Sequence, residues 1–126
     1  MSIPLKLREQ LNNDPFMVNC IHETFKHAAF ECDGRIEFHH NFIYRKRQQQ
    51  LKPFILPLCE CHHDNLDKRF IELIMLIRWH ELSIDQKWEH VNIIYPRYDF
   101  VGRYNILSNI YKDRMDGFLE TMEQFK

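Results

Sequence analysis

With 126 residues, 44% of them apolar and only three glycines, the chain fits one domain and not a disordered or low-complexity protein. Seventeen basic residues against eighteen acidic ones leave it near neutrality, so bulk charge does not point to a nucleic acid and any such signal must be local. The longest apolar stretch, Phe70 to Trp79, is interrupted by Glu72 and Arg78 and is too short to cross a bilayer, and Met1 to Arg8 has no secretory pattern.

Pro4 to Asn13 suits a short helix, which Asn13-Asp14-Pro15 should end because the residue before proline avoids helical geometry. Cys20 to Gly34 shows no sustained period and closes on Cys32-Asp33-Gly34, a turn composition, so it reads as a loop. Arg35 to His39 alternates polar and apolar residues as a strand does, with Ile36 and Phe38 on one face, and delivers His39 and His40 to its end. After a basic, glutamine-rich stretch from Tyr44 to Pro53, the apolar run Phe54 to Leu58 reads as a second strand, paired with the first as a hairpin with a long loop. From His62 onward, Leu66, Phe70, Leu73, Ile74 and Ile77 recur at helical spacing and predict one helix to His80, with Asp64 and Asn65 in its first turn or cap. Ser83-Ile84-Asp85-Gln86 has the form of a capping box opening another helix, which Tyr95-Pro96 should stop. Asp99 would cap a further helix through Tyr111, and Met115 to Phe125 would form the last. Trp79 and Trp88 fit the seam between helices, and His22, His27, His80 and His90 read as solvated histidines.

Four cysteines in a reducing, cytoplasmic setting favour metal over disulfides, above all where two crowd into Cys59-Glu60-Cys61-His62-His63. The order strand, His39-His40, basic loop, strand, this cysteine-histidine cluster and helix resembles the HNH endonuclease family, specifically the short zinc-containing versions common among phage-encoded proteins. The matching residues are Gly34-Arg35-Ile36-Glu37-Phe38-His39-His40, Ile43-Tyr44, Gln48 and Ile55-Leu56-Pro57-Leu58-Cys59, within about residues 20–67.

The resemblance implies an α+β fold, a ββα-metal hairpin and helix with a zinc-binding loop, its core at about 20–80 and its C-terminal helices at about 83–126. It implies hydrolysis of DNA phosphodiester bonds in a host cytoplasm, with His39 and His63 as ligands of a catalytic Mg2+ or Mn2+ and His40 as the base. Imidazole serves as a base because it ordinarily titrates near working pH. Asp67 is the candidate third ligand, because four residues after His63 on one helix it would share a face with it.

A second, structural site is implied for Zn2+, with Cys20, Cys32, Cys59 and a fourth ligand. His62, three residues after Cys59, completes the tetrahedral set, and Cys61 is its rival. The chain departs from the family twice. Eleven residues separate Cys20 from Cys32 where relatives carry a tight pair, and Phe54 stands where the middle asparagine is expected, leaving Gln48, Gln49 and Gln50 as amides able to brace the histidine loop.

Arg45, Lys46 and Arg47, with Gln48, follow Tyr44 between the strands and would contact DNA phosphates, though in isolation such a run is an ordinary solvated loop. A monomer with one site would nick one strand. The readings that remain beside an endonuclease are a zinc-stabilised module that binds nucleic acid or protein without catalysis, and a ribonuclease. A homodimer or protein partner is left open by the sequence.

Overall fold

The computed structural model describes residues 3–27 and 31–126. Helix α1 (Leu5–Asn12) ends before Asp14, whose carboxylate caps the 3-10 turn Pro15–Met17 through the Phe16 N–H and also meets Arg78 and Lys52. The segment expected as a loop contains a short helix, α2 (Ile21–Thr24), directly after Cys20, and residues 28–30 of it lie outside the described residues.

Strand β1 (Ile36–His40) starts one residue later than its alternation suggests. The stretch after it is not an open loop. β2 (Ile43–Tyr44) and β3 (Arg47–Gln48) pair as a small hairpin around Arg45 and Lys46, whose φ angles are 53° and 65°. A two-residue hairpin needs this left-handed geometry, which Asn-Gly supplies most easily, and a residue with a Cβ there costs roughly 1–2 kcal/mol. β4 (Ile55–Cys59) then runs antiparallel to β1, setting Ile36 opposite Cys59 and His40 opposite Ile55.

The single helix expected from His62 to His80 is two helices, α3 (Glu60–Asp64) and α4 (Lys68–His80). The break has a local cause. Cys59 caps α3 by accepting the His62 N–H on its sulfur, and Asn65 closes that helix by donating its amide to the Cys61 carbonyl at 2.8 Å. Asp67, rather than Asp64 or Asn65, caps α4 by accepting the Phe70 N–H. From there α4 is a central strut, burying Phe70, Leu73, Ile74, Ile77 and Trp79 against β4 and the later helices.

The capping box at Ser83 and Gln86 forms, and α5 (Ile84–Glu89) widens into a π-helical turn over His90–Ile94 before Pro96. Asp99 caps α6 (Phe100–Ile110) through the Gly102 N–H, and α7 (Met115–Glu123) follows. Phe54 sits fully buried where these helices meet the hairpin, within 4.6 Å of the Phe42 ring and 6.2 Å of Phe100, and Trp79 stacks on Phe100 at 4.3 Å. Glu72 of α4 and Arg103 of α6 form a two-point ion pair at 2.7 and 2.9 Å that locks the same seam.

Two expectations are corrected by packing. Trp88 is not in a seam: α5 buries none of its residues, and Trp88 is 68% exposed. His22 and His90 are not solvated but buried, the latter accepting the Trp79 indole N–H on Nδ1 at 2.9 Å, and His27 is paired with Asp67. Among the described residues no helix is long and apolar enough to cross a membrane.

Candidate metal centre and histidine site

Four residues from three separate segments converge at the base of the hairpin. Cys20 precedes α2, Cys32 precedes β1, Cys59 ends β4 and His62 lies in α3, and their ligand atoms all fall within 4.8 Å of one another. A tetrahedral ion bound at about 2.3 Å to sulfur and about 2.0 Å to nitrogen needs ~3.6 Å between the nitrogen and each sulfur. His62 Nδ1 stands 3.0 Å from Cys59 Sγ, 3.5 Å from Cys32 Sγ and 3.7 Å from Cys20 Sγ, so donor set and spacing fit such an ion. Cys61 lies outside this group, and the eleven-residue gap between Cys20 and Cys32 is spanned without separating them.

Local folding explains the convergence. Gly34, with φ of 86°, turns the chain between Cys32 and β1, and a Cβ there would sit 2.7 Å from the Glu60 side chain. The Cys61 N–H then bonds to the Asp33 carbonyl and the Glu60 N–H to that of Arg35, stitching the two cysteine turns together. Burial pushes the Cys20 thiol up, and burial together with the neighbouring Cys20 pushes Cys32 up to about 12. Cys59 is displaced downward: burial opposes its ionisation, but backbone hydrogen bonds at His62 and Asp33 and the side chains of Cys32 and Cys20 outweigh it. A bound cation would overcome the remaining cost, since a coordinating thiol is deprotonated outright.

His22 packs against this centre without being one of its four members, and nothing in its sequence position announced it. Its ring stacks on His62 at 3.9 Å and 7°, with Nδ1 3.6 Å from Cys20 Sγ. Burial first, then the nearby His62, holds its pKa down to about 4, so the ring is neutral.

At the far end of β1 lies a second group. Alternation along the strand places Glu37 and His39 on one face and Phe38 and His40 on the other. The His39 and His63 rings are 5.2 Å apart, and His63 Nδ1 lies 3.5 Å from a Glu37 oxygen. Burial, reinforced by His63 and His40, brings the His39 pKa down to about 4 and leaves its imidazole neutral. His40 Nε2 meets Gln50 Oε1 at 2.8 Å. Of the three candidate bracing amides, Gln50 therefore holds the histidine, whereas Gln49 donates to the Tyr44 and Arg47 carbonyls and accepts from Tyr95, which fixes the small hairpin.

Asp67 is not brought to this group in the way its spacing suggested. The break at Asn65 puts it on the cap of a different helix from His63, and its second oxygen is taken by His27 Nε2 at 2.9 Å. Arg45, Lys46 and Arg47 are exposed at the tip of the β2–β3 hairpin, and Gln48 is half-buried in its second strand. A cleft of about 490 Å³ lies between the histidines, the start of α4 and the link before α6, lined by His39, His40, Tyr44, Lys68, Arg97 and Tyr98 among others. Of these, Lys68 and Arg97 carried no sequence signal, while Glu37 could have been found from its two-residue offset to His39. No protein-family profile, curated protein or solved structure matches this chain.

Proposed function

We propose that the chain is an HNH-type endonuclease: a ββα-metal unit, braced by structural zinc at Cys20, Cys32, Cys59 and His62, that hydrolyses DNA phosphodiester bonds with Mg2+ or Mn2+. The observation that carries the reading is the juxtaposition at one strand end of an anchored histidine, His40 on Gln50, with the His39–His63 pair. The order β1, β4, α3 and the antiparallel register that sets the histidines at the strand end support it.

His39, held neutral, offers a ring nitrogen lone pair, and His63 lies beside it, so the two fit as ligands of a divalent ion. Such an ion, when bound, would neutralise charge on the phosphate and stabilise the departing alkoxide. Gln50 Oε1 can only accept in this hydrogen bond, so Nε2–H donates it; that tautomer leaves the Nδ1 lone pair to take a proton from water. Phe54 fills the place of the family asparagine because the C-terminal helices turn that position into core, and Gln50 takes over the anchoring. Glu37, its carboxylate 3.5 Å from His63 Nδ1, lies where it can orient that ring electrostatically.

The test is nicking of supercoiled plasmid by zinc-loaded protein with Mg2+ or Mn2+, comparing wild type with His40→Ala at equal zinc content. Nicking that disappears in the variant supports the assignment of both reaction and base. Equal nicking by both removes His40 from the role, and inactivity of both with zinc retained favours a binding module.

A further inference from the structure

Beside the histidine cleft lies a larger one of about 780 Å³, lined by Lys26, His27, Asp67, Lys68, Arg69 and Arg114 among others. Leu66 and Lys68 line both clefts, so the two adjoin across the link between α3 and α4. Its four lysine and arginine side chains face one carboxylate, Asp67, already engaged by His27, in a protein whose total charge is close to zero. Arg114 is fixed there by the Phe25 and Lys26 carbonyls, whereas Lys26, Lys68 and Arg69 have no side-chain hydrogen bond or ion pair among the described residues.

These charges stand where local folding disfavours them. Among the described residues the non-glycine positions with positive φ are Lys26, Arg45 and Lys46, all cationic, where Gly or Asn would be the least strained choice. Lys68 and Arg69 open α4 at the helix end that repels cations; its first turn has no acidic residue, and the cap carboxylate before them, Asp67, is already engaged by the Phe70 N–H and His27. Neither strain nor helix stability accounts for such placement, whereas a polyanion does.

Resting on the endonuclease reading, we infer that the DNA backbone runs along one cationic track, from the Arg45–Lys46 turn, past His39 and His40, over Leu66 and Lys68, into the cleft of Lys26 and Arg69. The substrate is then held on both sides of the cut phosphate, and the hairpin tip alone does not account for binding.

The test is fluorescence anisotropy of a fluorescein-labelled 20-base-pair duplex with zinc-loaded protein, without Mg2+ or Mn2+, across 50–200 mM NaCl, alongside plasmid nicking with the ion. Each lost phosphate contact lowers the salt slope by about 0.9, so Lys26→Gln/Arg69→Gln should lower it by about 1.8 while Lys6→Gln, on α1, leaves it unchanged. Lys26→Gly removes both charge and strain: it should lower the slope by about 0.9 with a melting temperature equal to or above wild type, which separates lost contact from lost folding. An unchanged slope in these variants, or a wild type that does not bind the duplex, overturns the track. Nicking with unchanged slopes would leave the endonuclease reading standing alone. Reduced slopes without nicking would leave the track and remove the enzyme.

Discussion

Replacing Cys59 with serine removes a sulfur that lies in the metal group and also caps α3. An ion held there ties the Cys20 and Cys32 segments to His62 across separations of 42 and 30 residues. Closing loops of this length lowers the entropy of the unfolded chain by roughly 3–4 kcal/mol each, or about 6 kcal/mol together because the two loops overlap. A domain's whole stability is about 5–15 kcal/mol, so the site would supply a large part of it. At roughly 2 cal/mol/K of unfolding entropy per residue, the loss corresponds to a fall of about 20 °C in Tm. The assay pairs zinc content by mass spectrometry with thermal melts followed by circular dichroism, for wild type, Cys59→Ser, His62→Ala and Cys61→Ser. One zinc per chain is expected in wild type and Cys61→Ser, with its loss and a collapsed melt in the other two. A Cys59→Ser protein that keeps its zinc and melts within about 5 °C of wild type would refute the reasoning, and zinc lost on Cys61→Ser but kept on His62→Ala would mean the wrong fourth ligand.

Gln50→Leu should slow plasmid nicking by roughly 10–100-fold at unchanged zinc content, because His40 loses the acceptor that fixes its tautomer, whereas Gln50→Glu, which keeps an acceptor, should recover much of the rate; equal rates in all three would remove Gln50 from the site. Gly34→Ala should cost about 1–2 kcal/mol by urea denaturation, since it places a Cβ against Glu60 at a left-handed backbone, and an unchanged midpoint would contradict that contact. Burial lowers the His90 pKa, so the unfolded chain takes up a proton there more readily: its contribution is intact above about pH 6.5 and is lost as pH falls through the lowered folded value. Urea midpoints between pH 7.5 and 5.5 should therefore decline less steeply in His90→Gln than in wild type, and parallel declines would argue against a neutral His90 holding the Trp79 indole.

Both strands of the hairpin were legible to within one residue, because alternation at Ile36 and Phe38 and the apolar run from Phe54 are backbone-level signals that burial of one face enforces. The capping box at Ser83 and the Asp99 cap were equally plain, since one side chain satisfies orphan donors a fixed distance ahead. The helix break was not legible. Asp64, Asn65 and Asp67 are all competent caps within four residues, and the choice falls to Asp67 because the cysteine group commits Cys59–His62 to a turn of its own. The same long-range arrangement decided the fourth member of the metal group between His62 and Cys61, and placed Gln50 rather than Gln48 on His40. The depth of His22 and the exposure of Trp88 depend on which helices pack over them, and periodicity says only which face a helix buries, not whether anything covers it.

The two groups of side chains are mechanically joined. His62 and His63 are consecutive in α3, one facing the cysteines and the other Glu37 and His39, so the helix that closes the metal centre also sets one side of the histidine pair. β1 makes the same connection from the other direction: Ile36 opposite Cys59 fixes its start beside the metal centre, and a rigid five-residue register carries that placement to His39 and His40. A shift of one residue in this ladder would turn His39 to the opposite face and separate it from His63. An ion held by Cys20, Cys32, Cys59 and His62 would therefore do more than lower the entropy of the unfolded chain. By pinning one end of both the strand and α3, it would also steady the approach of His39 and His63 at the other end.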